Sequence, residues 1–187
     1  MSRPDSDHET KMIQTFEKNS SRLYSLAFLL TGDIDRSVQA FERALDDEGE
    51  NPAGDRVMDR WARKTIIVAA LATMEKELLA SLLRTMRLVG DEPSGDAKWK
   101  RRASIPREEF EQAVVAIDAF PRCAMLLTVF EGMSIKLASI LLHASETLTR
   151  SAQRLGIVEL TRNLAGKNGS DPYPRPGRNP APVLSPG

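Results

Sequence analysis

Residues 120–164, FPRCAMLLTVFEGMSIKLASILLHASETLTRSAQRLGIVELTRNL, decide the fold, because they read as three helices separated by two very short breaks. Pro121 suits a first helical turn, where its missing N–H would have had no partner, so a helix is expected over residues 120–130. Glu131-Gly132-Met133 ends it. Ser134 is suited to cap a short second helix ending near Leu142, and Ser145 a third that reaches about Leu164. Only His143-Ala144 separates these two. Helices joined by so tight a turn must cross steeply, which predicts a helix-turn-helix arrangement.

The apolar spacing agrees. Leu137, Ile140, Leu141 and Leu142 give the middle helix a side to bury, with Ser139 as a small contact residue, and Leu148, Ala152 and Leu155 repeat at spacings of four and three in the last helix. That leaves Thr149, Arg150, Gln153 and Arg154 on the opposite side. Arginine and glutamine pair well with base edges, and arginine also meets phosphates. The same four side chains equally fit an ordinary solvated helix face, so spacing alone leaves both readings open.

FPRCAMLLTVFEGMS resembles the opening of the C-terminal promoter-binding domain of bacterial sigma factors, on Pro121, Arg122, Leu126, Leu127, Glu131, Gly132 and Ser134. The family's next segment fits in two registers. One runs without a gap and pairs its turn serine with Ser145; the other omits one turn residue and pairs its threonine with Thr147 and its buried aliphatic with Leu148. The second is preferred, since it keeps the apolar stripe on the family's buried side. It sets His143 near the family's usual glycine, where the left-handed backbone is open to histidine, though less readily. An exposed turn residue is the expected role of His143, given only one other histidine, His8.

A second resemblance lies upstream. Helical spacing of Met12, Ile13, Phe16, Leu23, Leu26, Ala27 and Leu30 predicts a helix over residues 10–30, closed by Thr31-Gly32-Asp33, with Asp33 capping a further helix to about Leu45. YSLAFLLTGDIDRSVQAFERAL, residues 24–45, resembles the N-terminal core-binding region of the same family on Tyr24, Leu26, Ala27, Leu30, Thr31, Gly32 and Asp33. After the turn the family's acidic run is replaced by Arg36, Ser37, Val38, Gln39, Ala40, Phe41, Glu42 and Arg43. The resemblance implies Asp33, Asp35, Gln39 and Glu42 as polymerase contacts. One long helix is expected over residues 55–88, and its Arg60-Trp61-Ala62-Arg63 resembles the helix with which sigma factors melt promoter DNA; this implies Arg60, Trp61, Arg63 and Lys64 as the melting region. By ordinary burial statistics Trp61 also reads as a core residue.

Composition bounds the rest. The 187 residues suit one or two small domains. No apolar run reaches eighteen residues and the N-terminus MSRPDSDHET is polar, so neither a membrane span nor a signal peptide is expected, and the location expected is cytoplasmic. Cys123, alone, forms no internal disulfide and in its apolar run should pack in the core. Lys+Arg and Asp+Glu are both 26, whereas a free-standing nucleic-acid binder usually carries a basic excess. Intrinsic DNA affinity should therefore be weak, as fits a subunit held on DNA by a larger partner and equally a non-binder.

An acidic loop is expected over residues 46–55, a linker with the cluster Lys98-Trp99-Lys100-Arg101-Arg102 over residues 89–106, a short helix over 107–119 and a disordered Pro/Gly-rich tail over 167–187. Phosphate-binding loops, nucleophile elbows and metal-ligand spacings are missing, so no enzyme, cofactor or metal is expected. The reading is an all-α chain of two small helical domains, residues 8–88 and 107–166, the second a helix-turn-helix. It resembles an extracytoplasmic-function sigma factor. That resemblance implies core RNA polymerase and promoter DNA as partners, with Lys136 joining Thr149, Arg150, Gln153 and Arg154 on DNA; it leaves an anti-sigma protein open as a third partner. The alternatives are a divergent sigma-like regulator and a helical protein-interaction module without initiation activity.

Overall fold

The computed structural model describes residues 5–46, 55–88 and 105–166, and these are all-α. The tail, the basic cluster around Trp99 and nearly all of the acidic loop lie outside the described residues, as do the side chains of Met12, Ile13, Phe16 and Val57. Helix α1 (Asp5–Thr31) turns sharply into α2 (Ile34–Leu45). Three local bonds make that turn. The Thr31 hydroxyl donates to the Ala27 carbonyl at 2.9 Å, the Gly32 N–H donates to Phe28 at 2.7 Å, and the Asp33 carboxylate caps α2 by accepting from the Arg36 N–H at 2.9 Å.

The long helix expected over residues 55–88 is instead two, α3 (Asp55–Thr73) and α4 (Glu75–Leu88). Thr73 donates its hydroxyl back to Ala70 at 2.7 Å, and the Met74 N–H bonds Leu71, three residues back, at 3.2 Å. Such back-bonding competes with the regular ladder and bends the chain. Met74 is drawn into the core at the corner.

The C-terminal half departs from expectation in three places. Helix α5 (Arg107–Val115) stops short of Ala119, and Asp118 starts α6 (Ala119–Met125). Residues 126–130 then widen into a π-helical turn, closed by Glu131 N–H to Leu126 at 2.9 Å. Ser134 caps α7 (Ile135–Leu141) through Leu137 N–H at 3.2 Å, but Ala138, Ser139 and Leu142 are its buried residues, whereas Leu137 and Ile140 face outward. Ser145 caps α8 (Glu146–Gly166) through Leu148 N–H at 3.2 Å. Between α7 and α8, His143 takes the left-handed conformation at φ 50°. Its N–H bonds Ile140 at 3.2 Å and the Ala144 N–H bonds Ser139 at 3.0 Å, the paired closure that a helix end makes around a left-handed residue.

Helices α1, α2 and α3 pack together, as do α5, α6, α7 and α8, and α6 also packs on α1 and α4, so one core cluster runs through both halves. The join is built around Arg122, only 3% exposed. Its guanidinium donates to Leu30 and Thr31 at the end of α1, at 3.3 and 3.0 Å, and to Val115, the last residue of α5, and Ile117 just past it, at 3.0 and 2.9 Å. Cys123 beside it is fully buried as expected, and burial pushes its thiol up to about 12. Two glycines serve close approach here. A Cβ on Gly32 would sit 3.0 Å from the Arg122 nitrogens, and one on Gly156 of α8 would meet the Pro121 carbonyl oxygen of α6 at 2.6 Å.

Two substitutions test these points by thermal or denaturant unfolding. Gly156→Ala is expected to force α8 from α6 and lower stability by about 1–3 kcal/mol, the range of overpacked cores. His143→Gly should raise stability by about 1 kcal/mol, because glycine has no left-handed penalty.

Candidate nucleic-acid interface

Helix α8 buries Thr149, Ala152, Gly156, Leu160 and Leu164, with Leu148 and Leu155 half-buried at the margins. Thr149 therefore leaves the expected DNA-reading set. The small residues Ala152 and Gly156 let α8 seat deeply on α6 and turn Thr149 inward, where its hydroxyl is satisfied by the Ser145 carbonyl at 2.9 Å. Arg150 and Arg154 are exposed, one helical turn apart, and neither makes an ion pair among the described residues. Gln153 is half-buried between the two regimes. Lys136 is exposed on α7, which packs against α8, so these cations belong to one two-helix unit.

On α3, Arg60, Arg63 and Lys64 are exposed, whereas Trp61 is half-buried against the core and serves packing first. Arg63 is engaged. Its Nε and Nη2 donate to the two carboxylate oxygens of Glu131 at 2.9 and 2.5 Å. Arg60 and Lys64 have no such partner among the described residues. On α2, Asp35, Gln39 and Glu42 recur at spacings of four and three along one exposed edge beside the half-exposed Val38. Asp33 is exposed too, but its carboxylate serves as the cap, while Arg36 turns inward to Glu77 of α4.

Two features were not foreseen. The first is an apolar groove of about 560 Å³ between α3, α4 and the end of α7, walled by Val68, Leu71, Leu79, Leu82, Ile140 and His143. Its signal in the sequence is faint, because α4 buries Ser81 and Thr85 and leaves Leu79, Leu83 and Met86 outside, the reverse of an ordinary amphipathic helix. The second is a bidentate pair between Arg84 and Asp118, at 2.9 and 2.7 Å. Ser81 meanwhile accepts the otherwise orphaned Phe120 N–H at 2.8 Å.

No family model, curated protein or solved structure matches this chain. Among the described residues no helix is long and apolar enough to cross a membrane.

Asp118 gives the α4–α6 contact a pH dependence. Burial alone would raise its carboxyl, but hydrogen bonds from Arg84, Ser81 and the Ala119 N–H outweigh that and hold it below the ordinary range. A group depressed in the folded state adds stability above its unfolded value near ~3.9, and that stability is lost as pH falls through the folded value. Wild-type stability should therefore drop on acidification below about pH 4. Asp118→Asn should start less stable and lose less over the same window, as read by denaturant midpoints across pH.

Proposed function

We propose that this chain is a cytoplasmic, sigma-factor-like transcription protein. Its first half, residues 8–88, binds core RNA polymerase through the outward edge of α2, and residues 107–166 read promoter DNA through a helix-turn-helix formed by α7 and α8. One observation carries the reading. Arg150 and Arg154 project from a serine-capped helix, locked by the Ala152–Gly156 seam on α6, and neither forms an ion pair among the described residues. Cations held this way are preorganised for bases and phosphates. Lys136 adds a phosphate contact from α7. The order of the two sequence resemblances along the chain supports the polymerase half, and the exposed Asp35, Gln39 and Glu42 supply its edge.

A specific observation favours a second reading, a helical interaction module without initiation activity. The chain carries no net charge, and the groove beside α4 is lined mainly by apolar side chains, the kind of surface on which amphipathic helices dock. A divergent regulator that binds polymerase without starting transcription stands between the two.

In vitro transcription with purified core polymerase, on DNA selected by the assembled complex, tests the first reading; promoter-dependent transcripts are expected. Polymerase binding without transcripts would point to the divergent regulator, and binding to neither polymerase nor DNA to the module. In the same system Arg150→Ala and Arg154→Ala should each weaken promoter binding by roughly 1–3 kcal/mol. Unchanged affinity in both would remove α8 from the interface.

A further inference from the structure

We propose that Glu131 is an internal competitor for the α3 basic cluster, holding the Arg63 guanidinium where a nucleic-acid phosphate would otherwise sit, so that the contact is autoinhibitory. The inference rests on the reading of α3 as a nucleic-acid face and adds a control to it. Among Arg60, Arg63 and Lys64, exposed within two turns of one helix, only Arg63 is engaged by a carboxylate among the described residues. Both carboxylate oxygens meet the guanidinium fork, at 2.9 and 2.5 Å. A phosphate presents two oxygens to the same fork, so the anions exclude each other.

The competitor is held in place by the fold. Glu131 closes the π-helical turn through its N–H to Leu126, and its side chain is 9% exposed against 44% for Arg63. Glu131 belongs to the C-terminal half and Arg63 to the N-terminal half, so the pair crosses the join that Arg122 stabilises. A nucleic acid reaching α3 must first separate them. Neutralising Glu131 frees one cation and removes one negative charge that repels the incoming backbone.

The test uses the full-length chain and a fluorescein-labelled single-stranded oligonucleotide of mixed sequence, followed by anisotropy through a salt series. Glu131→Gln should bind about two- to fivefold more tightly at low salt, the worth of an ion pair with one exposed partner. Its log–log salt slope should steepen by about 0.7, one further contact on a single strand. Made in an Arg63→Gln background, the same Glu131→Gln change should tighten binding less, since no arginine is then freed and only the negative charge is lost. If E131Q binds no better than wild type while Arg60→Gln weakens binding, α3 remains a nucleic-acid face and the competitor is refuted. An equal gain from E131Q with and without Arg63 also refutes it, by showing that only the lost negative charge matters. If no form of the protein binds, the α3 reading and the competitor fall together. Circular dichroism checks that each variant is folded; should E131Q not fold, Glu131→Ala takes its place in both backgrounds.

Discussion

A guanidinium sealed in the core, with no carboxylate paired to it among the described residues, is the constraint on which the arrangement of helices depends. Taking a cation out of water costs several kcal/mol unless its donors are met. Four of the five N–H groups of Arg122 are met by backbone carbonyls: two from the last turn of α1, one from the last residue of α5 and one from Ile117 just past it. Helix ends carry partial negative charge and unpaired carbonyls, so each end gains what the cation lacks. No single-point cation would do the same, because four carbonyls from two directions match the planar fork and not a compact ammonium.

Once that site is formed, other choices follow. The end of α1 must lie within 3.3 Å of α6, and there Gly32 leaves no Cβ to push the guanidinium away. On the next side α4 meets α6 through Ser81 and Thr85, small polar residues: Ser81 bonds Phe120 and Asp118, and Thr85 bonds back to the Ser81 carbonyl. On the far side α8 approaches through Ala152 and Gly156. Helix α6 is thus surrounded on all its faces, which accounts for seven consecutive buried residues from Ala119 to Met125. The orientation of α8, and with it the direction of Arg150 and Arg154, is a consequence of how closely α6 lets it approach.

What was legible in the sequence was local, and what was not depended on distant partners. Thr31-Gly32-Asp33, Ser134, Ser145 and the left-handed His143 are set by bonds spanning a few residues, and each sits as expected. The all-α class followed from the same signals. The corner at Met74 was hidden because one threonine back-bond interrupts an otherwise unbroken helical pattern. Hydrophobic spacing through Leu148, Ala152 and Leu155 puts Thr149 on the outer side, whereas the buried seam follows size, through Thr149, Ala152 and Gly156. Size matters there because the Pro121 carbonyl presses on α8, which no spacing rule along α8 reports. Leu137 and Ile140 face outward for a related reason: α7 is held by its small residues Ala138 and Ser139.

Zero net charge looks at first like an argument against any polyanionic partner. The balance is struck unevenly over the molecule, however. Arg36, Arg63, Arg84 and Arg107 are neutralised by Glu77, Glu131, Asp118 and Glu111, and Arg122 is consumed by carbonyls. Among the described residues, Arg60, Lys64, Lys136, Arg150 and Arg154 are left outside these pairs, as are Lys18, Arg22, Arg43, Lys76 and Arg87 on α1, α2 and α4. Internal pairs contribute little field beyond a Debye length of about 10 Å, whereas unpaired exposed cations keep theirs. A ligand approaching α8 therefore meets Arg150 and Arg154 rather than the average of the chain. Two or three such contacts are too few to hold DNA at physiological salt on their own. On the proposed reading, affinity must be supplied by a second surface bound at the same time, and that is the arithmetic that makes polymerase, rather than DNA alone, the partner on which this protein's action would depend.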